Sequence, residues 1–297
     1  MAEPGIAGRS PGGVQRFGRA VRGLALSCHP LPCLAVTAFS TAYAAAIGAG
    51  PGRLVAVAVA VLAGQLCVGW SNDAIDAPRD RAAGRPDKPL SSGLVGRGPV
   101  VAGALLAAAA CVVLSFRLGR DAGALHLVAV VAAVSYNAGL KATRLSPLPY
   151  LVAFGLLPVV VTFAVDRSAG FPGSAWPQVL AAALLGGAAH AGNTVGDTEA
   201  DAVTGVRGLP QRLGPQRSLI AMAVLVALAA LVLLVTVLGD DRTSGGRRVL
   251  AAVLLAGGVV LAFGGAARRV GVPGGRAAWR LTLVAVTLVI AGFLATV

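Results

Sequence analysis

Charge is scarce in this sequence: Asp, Glu, Lys and Arg together make up 12% of its 297 residues, about half their share in an average soluble protein. With 56% of the residues hydrophobic and a mean hydropathy of +0.79, that shortage argues against an ordinary soluble domain. Aromatic residues are also few, at 5%. Only four cysteines occur, and Cys28, Cys33, Cys67 and Cys111 lie in apolar stretches without metal-type spacing, so they read as packing residues and not as ligands or a disulfide framework. Residues 1–22 lack a compact apolar core followed by a cleavage site, which argues against a signal peptide and for a disordered basic cytoplasmic tail. The apolar runs lack strict period-two alternation, so a closed barrel is excluded as well.

Long uncharged windows are what the sequence has in abundance. Nine stretches of 17 or more residues contain no Asp, Glu, Lys or Arg: 23–52, 54–72, 98–116, 122–140, 145–165, 168–196, 218–239, 249–267 and 281–297. A helix needs roughly 20 apolar residues to cross the hydrocarbon of a bilayer, and lipid offers its backbone no hydrogen-bond partner. The expected fold is therefore all-α: a polytopic bundle of nine transmembrane helices, forming a single domain over 23–297. With the N-terminus in the cytoplasm, 18 of the 25 Lys and Arg fall in cytoplasmic segments, as the positive-inside rule requires. The same bias accounts for the net charge of +13. It points to an anionic lipid surface and away from nucleic acid.

The twelve acids are unevenly spread. Seven of them, Asp73, Asp76, Asp80, Asp87, Asp197, Glu199 and Asp201, fall in two windows. The windows share a pattern, N-x3-D-x3-D-x3-G, carried by Asn72, Asp76, Asp80 and Gly84 in the first copy and by Asn193, Asp197, Asp201 and Gly205 in the second. Residues four apart share a helix face, so each copy predicts a polar stripe at the cytoplasmic end of a span. Pro78 removes a helical hydrogen bond, and the expectation is that the second span kinks or ends there, leaving Asp80 in a loop. Carboxylates at this spacing repel one another, and at the edge of hydrocarbon they need a neutralising cation. Hard oxygen donors without nearby His or Cys favour Mg²⁺ or Ca²⁺ over zinc, and Mg²⁺ commonly shares its shell between carboxylates and substrate phosphates.

These motifs resemble those of the UbiA superfamily of intramembrane prenyltransferases. The family's N-D-x-x-D-x-x-x-D signature stands here as Asn72, Asp73, Asp76 and Asp80, followed by "DKPLSSG" at 87–93. Its second signature stands as Asp197, Asp201, Gly205, Leu209 and Pro210, and "YNAGLK" places Tyr136 and Lys141 where the family has a tyrosine and a lysine. The resemblance implies a helix bundle around a central cavity, its mouth facing the cytoplasm, in the cytoplasmic membrane. It also implies Mg²⁺ as cofactor and an isoprenyl diphosphate as donor.

The expected activity is Mg²⁺-dependent ionisation of that donor and transfer of its prenyl group to a small aromatic or lipophilic acceptor of unknown identity. A terpene cyclase, acting on the same donor without an acceptor, is the alternative. The expected metal-binding and catalytic residues are Asp73, Asp76, Asp80, Asp197 and Asp201, with Asn72 and Asn193 as neutral oxygen ligands or diphosphate donors. Arg85, Lys88, Lys141 and Arg207 are the expected diphosphate contacts, since Arg forks suit paired oxygens and Lys a single one. Tyr136, Asn137 and His190 are expected to line the substrate cavity, His190 as a group that could deprotonate an acceptor, and Trp70 and Phe154 could face a carbocation. His29 and His126 carry weaker arguments.

Overall fold

The computed structural model describes residues 13–166, 175–241, 243–267 and 275–297, and of 13–16, 195–204, 275–280 and 282–283 it describes the backbone alone. Among these residues there are eleven α-helices and no strand: α1 (Gly13–Ser27), α2 (Pro30–Ala46), α3 (Pro51–Ala82), α4 (Arg97–Leu118), α5 (Arg120–Asn137), α6 (Leu148–Val165), α7 (Trp176–Thr204), α8 (Leu209–Leu213), α9 (Pro215–Gly239), α10 (Gly245–Ala266) and α11 (Gly275–Ala295). Helix α1 begins inside the stretch expected to be a tail. It meets α2 at a bend of 57°.

Among the described residues five helices, α3, α4, α6, α9 and α10, are long and apolar enough to cross a membrane, or six if the bent pair α1 and α2 is taken as one span. The sequence windows suggested nine. The three remaining windows fall on α5, which starts on Arg120 and Asp121, on α7, which carries Gln178, His190 and Asn193 ahead of the second acidic motif, and on α11, of which the described residues give the shorter apolar stretch Val284–Ala295. Outward-facing apolar side chains such as Leu105, Leu106, Val131, Val235 and Val260 are 62–71% exposed, as suits helices bathed in lipid.

Consecutive helices pack on one another from α2 to α7, then α7 on α9, α9 on α10 and α10 on α11, and α11 returns to α2. The closure is visible in aromatic contacts, Phe293 of α11 lying edge-on to Phe39 at 5.3 Å and to Tyr43 of α2 at 5.6 Å. The core between helices is built largely of Ala and Val, small side chains that let helices approach where lipid removes any hydrophobic drive between them.

Helix α3 does not stop at Pro78. It continues to Ala82 and keeps Asp80 on the same helix as Asp73 and Asp76. The carbonyl that a residue-78 N–H would have bonded belongs to Ala74, and Arg97 Nε donates to it at 3.3 Å. A side chain from the start of α4 thus supplies the donor that proline lacks. The helix ends at Gly84, whose φ of 62° only glycine adopts without strain, and α7 ends at Gly205 with φ of 75°. The glycine closing each copy of the repeat is the left-handed residue that stops the helix four positions beyond the last aspartate.

Candidate active site at the acidic end of the bundle

The first motif leaves α3 as three buried carboxylates: Asp73, Asp76 and Asp80 are 2%, 7% and 8% exposed. Asp80 sits in the last turn of α3, where the helix dipole disfavours negative charge, and buried carboxylates in general need cations around them. Lys141 Nζ donates to Asp76 Oδ1, and Arg79 approaches Asp76 Oδ2 at 3.0 Å. Asn72 Nδ2 donates to the same Oδ2 at 3.2 Å and to Asn137 Oδ1 at 3.0 Å. Asp76 is therefore satisfied on both oxygens.

Asp73 is satisfied on one. Its Oδ1 accepts from Lys88 Nζ at 3.3 Å and faces His29 Nε2 at 3.2 Å. Its Oδ2 is buried without a hydrogen-bond partner among the described residues, a costly arrangement for a carboxylate oxygen unless a further ligand uses it. Lys88 reaches back because the chain after Gly84 folds on itself, through Ser92 N to Lys88 O at 2.9 Å and Leu94 N to Pro89 O at 2.9 Å.

Arg85, expected to contact a diphosphate, forks onto Asp87 through Nε at 3.0 Å and Nη2 at 2.8 Å. That hydrogen-bonded guanidinium holds the Asp87 carboxyl below the usual carboxylate range. Asp87 faces solvent, with its side chain 57% exposed.

The segment between α5 and α6 joins the two motifs. A 3₁₀ turn, Leu140–Ala142, carries Lys141 to the first motif, and Ser146 Oγ accepts the backbone N–H of Leu209, just beyond the second. The two acidic helix ends therefore lie at one end of the bundle. Ser146 Oγ also meets His190 Nε2 at 3.1 Å, while His190 Nδ1 is buried without a hydrogen-bond partner among the described residues. Around His190 stand Tyr136 at 5.5 Å and Tyr150 at 5.0 Å, with Phe154 stacked on Tyr150 at 6.1 Å.

Asn137 is 4% exposed and ties α5 to α3, its Nδ2 donating to Val68 O at 3.0 Å and Ser71 Oγ at 3.3 Å. Trp70 is turned away from the aromatic group; its Nε1 donates to Leu24 O at 2.9 Å, and its ring lies beside Gly103 of α4. Asn193 and Arg207 are exposed. Asp197 and Asp201 lie on the last turns of α7, and their side chains fall outside the described residues, as does that of Glu199. Among the described residues no group of three or more His, Cys, Asp or Glu side chains forms a metal-type cluster.

Sequence reasoning gave His29 only a weak argument and missed Arg79, Arg97 and Ser146. The His-Pro pair inside an overlong apolar window is a trace of the first, and the three-residue spacing from Asp76 a trace of the second. Nothing in the sequence pairs Arg97 with Ala74, or Ser146 with Leu209.

A model of the UbiA prenyltransferase family matches residues 33–281. No curated protein matches the sequence. Among solved structures, a UbiA homologue from Archaeoglobus fulgidus bound to DMAPP and Mg²⁺ is similar at 18% identity and a TM-score of 0.67, over 92% of this chain and 98% of that one. An apo UbiA homologue from Aeropyrum pernix K1 is similar at 20% identity and a TM-score of 0.67, over 86% and 95%. A digeranylgeranylglyceryl phosphate synthase follows at 17% and 0.64, over 92% and 97%.

Proposed function

Because the chain belongs to the UbiA prenyltransferase family, we propose that it is a Mg²⁺-dependent intramembrane enzyme that transfers the prenyl group of an isoprenyl diphosphate to a small aromatic or lipophilic acceptor. The observation that carries this reading is Asp73: a buried carboxylate with one oxygen held by Lys88 and His29 and the other without a partner, at one end of an apolar bundle. A hard cation suits that oxygen, since it belongs to a carboxylate and Asp76 and Asp80 follow it along the same face of α3. The homologue that holds DMAPP with Mg²⁺ supports the donor class and the metal.

Asp73, Asp76, Asp80, Asp197 and Asp201 are the residues that would hold Mg²⁺. When bound, the metal supplies positive charge that stabilises the departing diphosphate. The protein's own residues do the rest. Lys88 and Lys141 lie against Asp73 and Asp76, placed to contact phosphate oxygens beside those carboxylates, with Arg85 and Arg207 further contacts. Asn72 orients Asp76 through its amide; Asn193 is its counterpart in the second motif. The allylic C–O bond breaks with its electron pair leaving on the diphosphate, and the acceptor's electron pair forms the new bond to the allylic carbon. His190, beside Tyr136 and Tyr150, is positioned in this reading to take the proton the acceptor sheds at Nδ1. The nine-span topology, with the mouth toward the cytoplasm, rests on the uncharged windows and the distribution of Lys and Arg.

The test is incubation of the purified protein with C10 to C20 prenyl diphosphates and Mg²⁺, with and without a panel of phenols. An acceptor-dependent prenylated adduct is expected. A hydrocarbon formed equally well without acceptor would replace transfer by cyclisation.

A further inference from the structure

The elbow between α1 and α2 is the one place among the described residues where a non-glycine side chain sits on left-handed backbone: His29 has φ 57° and ψ 69°. An L residue there costs about 1 kcal/mol or more, although His, with Asn and Asp, tolerates it better than most. Pro30 opens α2 directly after it, so the helix starts on a residue with no N–H to satisfy.

Three ties hold the elbow against α3. Trp70 Nε1 donates to Leu24 O at 2.9 Å. Gly69 leaves a notch that the Cys28 carbonyl fills, and any Cβ at that position would overlap it. One turn further along the same face, Asp73 meets His29 Nε2 at 3.2 Å. The backbone of the elbow is thus docked one helical turn before the carboxylate that its side chain reaches.

Lys88 already supplies Asp73 with a counter-charge through Oδ1. A second partner on the same oxygen adds little neutralisation, but it fixes the carboxylate plane and leaves Oδ2 as the oxygen on offer. We propose that His29 is a positioning residue of the acidic site: with its proton on Nε2, it holds Asp73 Oδ1 from the α1–α2 elbow and so presents the buried Oδ2 to a divalent cation. The inference rests on the metal reading given above. It does not require the ring to be charged, because an Nε2–H donates in either state.

The experiment uses the full chain in nanodiscs, with Mn²⁺ as the probe, titrated by electron paramagnetic resonance, and with monodisperse elution as the check on folding. Four variants separate reach from backbone conformation. His29→Asn tolerates the left-handed backbone but is too short to reach Asp73. His29→Gly removes the backbone cost altogether. His29→Gln restores an N–H donor of comparable reach, and Asp73→Asn sets the floor.

Outer partners of metal-binding carboxylates typically contribute 10- to 100-fold in affinity, so Asn and Gly at position 29 are expected to weaken Mn²⁺ binding about 10-fold or more, and Gln to stay within roughly threefold of wild type. Binding by the Asn and Gly variants as tight as wild type, with Asp73→Asn impaired, overturns the role of His29 alone. Equal weakening by Asn, Gly and Gln also overturns it, since that pattern reports only a disturbed elbow. Wild-type protein that binds Mn²⁺ no better than Asp73→Asn overturns the metal reading itself.

Discussion

At the residue scale, the four aspartates of the first acidic stretch divide into different kinds of group. Asp76 is buried and held by Lys141, Arg79 and Asn72. Removing Lys141 therefore leaves a buried charge with fewer partners and removes a cation from the expected diphosphate site. Lys141→Met is expected to lower prenyl transfer by about 100-fold or more, since removing one charge-stabilising donor from a reacting site typically costs about 100- to 1,000-fold in rate; steady-state turnover in Mg²⁺-containing membranes measures it.

Asp87 is the opposite case. Its carboxyl is held low by the Arg85 guanidinium, so its contribution to stability is present above the unfolded-state value and fades as the pH falls through the folded one. The pair is exposed, and such pairs contribute about 0–1 kcal/mol. Asp87→Asn is thus expected to leave thermal stability at pH 7 nearly unchanged; a large drop in melting temperature would contradict that placement.

At the scale of elements, the repeat N-x3-D-x3-D-x3-G is a complete local instruction: two acids on one helix face and then a left-handed stop. The shared helix face was legible, because helical spacing acts locally; the glycine stop was not read from the sequence, although glycine's φ preference is equally local. That α3 runs on past Pro78 was not legible, for the converse reason. A proline's missing donor is a local fact, but its replacement by Arg97 comes from another helix, 19 positions along the chain, and no pattern within α3 announces it.

A pair of substitutions checks this account. Arg97→Ala leaves the Ala74 carbonyl without that donor and is expected to cost about 1–3 kcal/mol, read as a lowered unfolding midpoint in detergent. Adding Pro78→Ala restores the backbone N–H and should recover most of the loss. If the two changes simply add, Arg97 is not the substitute donor.

At the scale of the whole molecule, the composition and the uncharged windows pointed to the all-helical, membrane-spanning class, and motif spacing singled out Asp73, Asp76 and Asp80 of the candidate site. What the sequence did not reveal is how distant segments complete that site. The α1–α2 elbow supplies His29 to Asp73, and the α5–α6 segment reaches both acidic ends through Lys141 and Ser146. These are pairings across the bundle, decided by how helices pack and not by periodicity within any one of them. They also explain why two motifs 121 positions apart in the sequence share one end of the bundle.

The most direct test of the central claim is release of diphosphate from a radiolabelled prenyl diphosphate by the purified protein, with a phenolic acceptor present, compared among wild type, Asp76→Ala and Asp201→Ala, with and without EDTA. Mg²⁺-dependent release by the wild type is expected, lost with EDTA and reduced by about 100- to 1,000-fold in either variant, the scale on which charge-stabilising groups act at such sites. Undiminished release by Asp76→Ala or Asp201→Ala, or release indifferent to EDTA, would contradict that claim.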